Sequence, residues 1–158
     1  MAKQQSAKKS LARRQALQVL YQSELTNVPA NEILFASDAD LYTLEDVDAV
    51  LSAEMGPIEP FAISLIEGVA EHLDEIDEKL AAISTNWSLA RMSIVDRNTL
   101  RIASYEIFYI DEVPTAVAIN EAVELSKAFG TDESSKFVNG VLGRVAELFE
   151  SEQKASEE

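Results

Sequence analysis

Cysteine is absent from the 158 residues, and histidine occurs once, as His72. The first absence excludes disulfides, thiolate metal sites and cysteine nucleophiles, and it fits a cytoplasmic protein. The second excludes any site built on two imidazoles. No apolar run approaches the ~18 residues needed to span a bilayer, and no signal peptide is visible. There is no phosphate-cradling glycine loop and no Gly-x-Ser-x-Gly elbow. Acids at helical spacing, such as Glu121 and Glu124, read as solvated rather than as an acid–base pair. No catalytic constellation, metal site or cofactor site emerges, so the chain reads as a non-enzyme.

Positive charge is missing from a long stretch. Residues 15–78 contain no Lys or Arg and hold fifteen acids. Residues 1–14 are the reverse: Lys3, Lys8, Lys9, Arg13 and Arg14 with no acid. The whole chain has a net charge of −15 and 47% hydrophobic residues, the composition of a folded acidic protein rather than a disordered one. A basic start on such a body reads either as a solvated tail or as a phosphate-binding arm. An acidic body repels nucleic acid, so binding would be confined to the few places where positive charge gathers.

What is present is helical periodicity almost throughout, with glycine (5) and proline (4) sparse. A first helix is expected over about Ser10–Leu25, with Ser10 as N-cap and Leu17, Leu20, Tyr21 and Leu25 facing inward. Thr43–Leu51 reads as a short capped helix inside an irregular connection, 26–59. The stretch 60–83 reads as one strong helix with Ile66, Val69, Leu73, Ile76, Leu80 and Ile83 as its buried stripe, its acids solvated and His72 at the surface. A short helix or turn is expected over Trp87–Met92. Ser93 and Asp96 then open a helix ending near Ile110, in the manner of a capping box. Pro114 opens another, over 115–129, closed by Gly130. The last helix is expected over Glu133–Phe149, with Gly140 and Gly143 allowing close helix approach. The sum is an all-α compact bundle of six or seven helices in two helical subdomains. Residues 1–9 form a flexible basic arm, 10–150 the helical domain and 151–158 a disordered acidic tail.

Binding residues are easier to find than catalytic ones. Lys136 and Phe137 start the last helix, where free N–H groups and the helix dipole favour an anion. A lysine beside an aromatic suits a phosphate and a stacked base of single-stranded RNA. Core packing accounts equally well for Phe137, and a salt bridge equally well for Arg101.

Several motifs resemble one family. They are Ala12-Arg13-Arg14-Gln15-Ala16-Leu17-Gln18-Val19-Leu20-Tyr21, then Asn86-Trp87, then Asp96-Arg97-x-x-Leu100-Arg101-Ile102-Ala103-x-Tyr105-Glu106. The longest block is Pro114-x-x-Val117-Ala118-Ile119-Asn120-Glu121-Ala122-Val123-Glu124-Leu125-x-Lys127-x-Phe129-Gly130, continued by Ser135-Lys136-Phe137-Val138-Asn139-Gly140-Val141-Leu142-Gly143. Together they resemble the NusB transcription antitermination family over about residues 8–149. The resemblance implies an all-α fold of two helical halves. It also implies binding of boxA RNA together with the ribosomal protein NusE, in a complex with RNA polymerase and other Nus factors that suppresses termination. It places Lys8, Lys9, Arg13, Arg14, Tyr21, Arg101, Lys136 and Phe137 on or near the RNA face, Asp96 at the ribosomal-protein contact, and Glu133 beside the RNA-facing helix start. The basic cluster is interrupted by Ser10 and Leu11, so the partner carries more weight here than in arginine-richer members. For the free chain, a homodimer formed through the RNA-binding surface is an option that sedimentation would decide.

Two other readings stand beside this one: the RNA-binding module of a ribosomal RNA cytosine methyltransferase, and a protein-only helical adaptor with an incidental basic arm. Charge reversal of Arg13 and Arg14 is expected to abolish RNA binding while the fold persists. Five phosphate contacts would make affinity fall about 100-fold for a fourfold rise in salt, at ~0.7 per contact.

Overall fold

The computed structural model describes residues 2–34, 57–83 and 87–157. Among these residues there are seven α-helices: α1 (Ala2–Thr26), α2 (Ala30–Leu34), α3 (Pro60–Glu71), α4 (Leu73–Ile83), α5 (Ile94–Tyr109), α6 (Thr115–Phe129) and α7 (Ser134–Glu157). A single 3-10 turn, Leu89–Arg91, precedes α5. The helix expected over Thr43–Leu51 lies outside the described residues.

The helix α5 is the axis of the molecule. Its 16 residues include Val95, Asn98, Thr99, Leu100, Ile102, Ala103, Ser104, Glu106 and Ile107, all buried. A helix buried on so much of its circumference must have neighbours on opposite sides. On one side Val95 and Ile102 join Ala16, Leu17, Val19 and Leu20 of α1, Ile33 of α2, and Leu65, Ile66 and Val69 of α3. On the other, Leu100, Ala103 and Ile107 join Ile76 and Leu80 of α4, Ala118 and Ala122 of α6, and Val138, Val141, Leu142 and Val145 of α7. Phe61, Tyr105 and Ile110 touch both cores.

The start signals act as their chemistry requires. Ser93 caps α5, its Oγ accepting from the Asp96 N–H at 3.1 Å. Pro60 opens α3, and Pro114 stands immediately before α6. The chain entering α3 is tied to α1 by Gln15, whose amide donates to the Pro57 carbonyl and accepts from the Glu59 N–H, each at 2.9 Å.

Several expectations are corrected. α1 begins at Ala2 rather than near Ser10, so Ser10 is an interior residue whose hydroxyl donates to Glu121. Leu25 is 37% exposed and outside the stripe. The stretch 60–83 is two helices: α3 ends at His72, whose N–H donates to the Gly68 carbonyl, and α4 begins beside it. His72 is not a free surface residue but stacks on Tyr109 at 4.1 Å, with Tyr105 beyond. Gly68 is required there, because a Cβ would stand 2.0 Å from the Tyr105 ring. By contrast, no atom lies within 4 Å of a Cβ built on Gly140 or Gly143, so close helix approach does not explain them. Finally, α7 runs on to Glu157 through the acidic tail. Lys79 of α4 holds that extension by bonding Glu152 at 2.8 Å while lying over the Phe108 ring.

Gly130 ends α6 as expected, but for reasons of space. Its φ of −95° suits any residue, whereas a Cβ would meet Ser134 at 2.7 Å and the Ser126 carbonyl at 2.8 Å.

Candidate nucleic-acid interface

A groove of about 970 Å³ lies where the beginnings of α5 and α7 converge. Trp87, Arg91 and Met92 from the segment before α5 line it together with Ser134, Lys136 and Phe137 of α7; Asp96 and Glu133 are also present. Two helix N-termini thus present their positive dipole ends to one space. Lys136 is exposed and Phe137 half-buried. The Phe137 ring meets Trp87 edge-on at 5.7 Å and rests on the core beneath. Both aromatic rings are therefore anchored from behind while part of each faces the groove. The first turn of α7 is fixed by the Thr131 N–H donating to Ser134 Oγ at 3.0 Å. Asp96 offers an acceptor: its Oδ1 is buried and has no hydrogen-bond partner among the described residues.

The N-terminal bases separate into two kinds. Lys8 and Arg14 are exposed. Lys9 is half-buried with its ammonium 5.4 Å above the Phe61 ring. Arg13 is 2% exposed and spent on an internal ion pair. Its Nε donates to both Glu106 carboxylate oxygens at 3.0 Å and its Nη2 to Oε1 at 2.6 Å. Its Nη1 lies 3.6 Å from Glu121, which also accepts from Ser10. Burial pushes the Glu106 carboxyl up, while the Arg13 guanidinium pulls it back. Arg13 is therefore corrected from an RNA contact to the bolt joining α1, α5 and α6. Glu121, expected as a merely solvated acid, belongs to the same tie.

Arg101 is corrected for a related reason. Its guanidinium grips Asp77 at 2.9 Å through two bonds, Glu24 at 3.2 Å and Asn98 at 3.3 Å. The neighbouring Arg97 holds the same Glu24 at 2.5 and 2.9 Å. Burial alone would raise the Glu24 carboxyl, but the two arginines win and hold it below the ordinary range. Tyr21 is half-buried and packs on the α1–α3 core. Neither Arg101 nor Tyr21 lines the groove with Lys136.

Lys9 and Lys136 flank the start of α6. Pro114 and Val117 share a cleft with Lys9, whereas Ala116 and Asn120 share one with Lys136 and Asn139. The sequence left Trp87 open between core and contact; it packs on the core and also lines the groove. Missed from the sequence were Arg91 and Met92, which only their place in the 3-10 turn brings to the groove. The signal available was an arginine in the short segment between two helices.

The NusB family model matches residues 10–147. The transcription antitermination protein NusB of Salinispora arenicola is 43% identical over 136 residues, spanning 86% of this chain and 93% of that protein. The Myxococcus xanthus NusB is 47% identical, spanning 85% and 91%. Among solved structures, a T. maritima NusB superposes with a TM-score of 0.67 at 34% identity, covering 87% of this chain and 90% of that one. A structure of NusB and NusE in complex with dsRNA gives 0.68 at 25% identity, covering 90% and 98%. The match of family model, sequence and fold along nearly the whole length establishes that this chain belongs to the NusB family.

Proposed function

We propose that this protein is an RNA-binding transcription antitermination factor. Paired with the ribosomal protein NusE, it binds boxA of nascent ribosomal RNA transcripts and helps RNA polymerase, with other Nus factors, resist termination. It acts in the cytoplasm by binding alone. The observation that carries this reading is the groove in which two helix N-termini, Lys136, Arg91 and two anchored aromatic rings meet. Lys136, together with Lys8, Lys9 and Arg14 across the start of α6, would hold phosphates. Phe137 would stack an exposed base. Asp96, with its free acceptor, would take a donor from the ribosomal protein. Its carboxylate and that of Glu133 repel phosphate, keeping the strand's backbone toward the rim of the groove.

The test is the anisotropy of a short labelled boxA RNA titrated with this chain, with NusE, and with the pair at moderate salt. The expected result is tighter binding by the pair than by either protein alone. An unchanged affinity in the pair would favour the protein-only adaptor.

A further inference from the structure

We infer that Arg97 is a positioning residue for the groove: it fixes the Ser88–Met92 turn and with it the wall that carries Trp87, Arg91 and Met92. The inference rests on the reading that this groove takes RNA.

The turn is poorly equipped to hold itself. It is a three-residue 3-10 segment with, among the described residues, two backbone bonds of its own, Arg91 N–H to the Ser88 carbonyl and Met92 N–H to the Leu89 carbonyl. Ala90 and Arg91 are exposed, and Leu89 and Met92 only half-buried. Arg97, one turn into α5, supplies what is missing. Its Nη1 donates to the Leu89 carbonyl at 2.7 Å and to the Met92 carbonyl at 2.9 Å. Its other edge is clamped by Glu24 of α1 through Nε at 2.9 Å and Nη2 at 2.5 Å. Glu24 is itself steadied by Arg101, and Arg101 by Asp77 of α4.

A rigid planar fork can satisfy a carboxylate on one edge and two carbonyls on another; a lysine ammonium cannot. With its charge neutralised by Glu24 and its donors committed, Arg97 has little left to offer a phosphate. Its effect on RNA passes through the turn, because Trp87, Arg91 and Met92 line the groove together with Phe137 and Lys136. The side chain on which the RNA wall depends is thus anchored at the far end of α1.

The experiment compares Arg97→Met and Glu24→Gln in the full chain, paired with NusE. The readouts are affinity for a short boxA RNA across a salt series, thermal stability, and the emission and iodide quenching of Trp87, the only tryptophan. Arg97→Met is expected to weaken RNA binding about tenfold. The log–log salt slope should stay unchanged and Trp87 should become more quenchable. Glu24→Gln removes the anchor's charge but leaves the carbonyl bonds. It should lower Tm and move affinity and Trp87 quenching in the same direction as Arg97→Met, by a smaller amount. If Arg97→Met loses helical content, Arg97→Lys replaces it, with a smaller loss in the same direction. Wild-type affinity and quenching in a folded Arg97→Met would overturn the inference. So would a salt slope reduced by ~0.7, the mark of a lost phosphate contact. If the wild-type pair binds no RNA, the functional reading fails instead, and Trp87 quenching still decides whether Arg97 holds the turn.

Discussion

Two adjacent arginines show why residue identity alone does not assign a role. Arg13 and Arg14 are indistinguishable in composition, and each belongs to the motif that resembles the family. The helix turns them about 100° apart, burying one against Glu106 and leaving the other in solvent. Removing one member of a buried pair strands the other charge and costs ~3–5 kcal/mol. Arg13→Ala is therefore expected to lower Tm by about 10 °C, at ~2–4 °C per kcal/mol for a chain of this size. Arg14→Ala should leave stability within ~0.5 kcal/mol and weaken RNA binding instead. Thermal denaturation with RNA titration separates the two. The role of Arg13 was not legible because its acceptor, Glu106, is 93 positions away. Glu24 makes a second prediction. Its folded carboxyl titrates below the ordinary value of 4.5, so its contribution is fully present above that value and lost as pH falls through the lowered one. The stability gap between wild type and Glu24→Gln, measured by urea unfolding, should be constant above pH 5 or so and close on further acidification.

Elements were easier to read than contacts. The periodic apolar stripes and the Ser93 and Pro114 start signals located α5 and α6 within a residue or so, because both signals are local. The break at His72 was hidden because the stripe continues across it: Ile66, Val69, Ile76 and Leu80 are all buried on either side. Glycine was the least legible residue, since the same side chain serves opposite needs. Gly68→Ala would drive a methyl into Tyr105 and disturb its stack with Tyr109 and His72, for an expected loss of ~1–3 kcal/mol. Gly140→Ala meets nothing and sits inside a helix, so it should stabilise by up to ~1 kcal/mol. Denaturant midpoints of the two variants should move in opposite directions.

For the molecule as a whole, charge distribution was readable from the sequence but charge availability was not. The sequence placed six bases on the RNA face and up to five on phosphates. The structure commits Arg13 and Arg101 to internal ion pairs, leaving Lys8, Lys9, Arg14 and Lys136 as the proposed set. Four contacts at ~0.7 each give a salt slope near 2.8, so a fourfold rise in salt should cost about 50-fold in boxA affinity, measurable by anisotropy. The all-α architecture was legible because helical patterning recurs along the whole chain. The convergence of the α5 and α7 starts was not, because it depends on packing between distant segments. One consequence concerns α1. From Lys3 to Lys8 every side chain of this helix is exposed, and its anchoring contacts begin at Lys9 and Ser10 and culminate at Arg13. The leading turns are thus the part of the helix with the least free energy opposing local opening. Their amides would exchange with deuterated solvent first, and a ribonucleotide strand laid across Lys8 and Lys9 would slow that exchange, so recognition there is also an act of freezing.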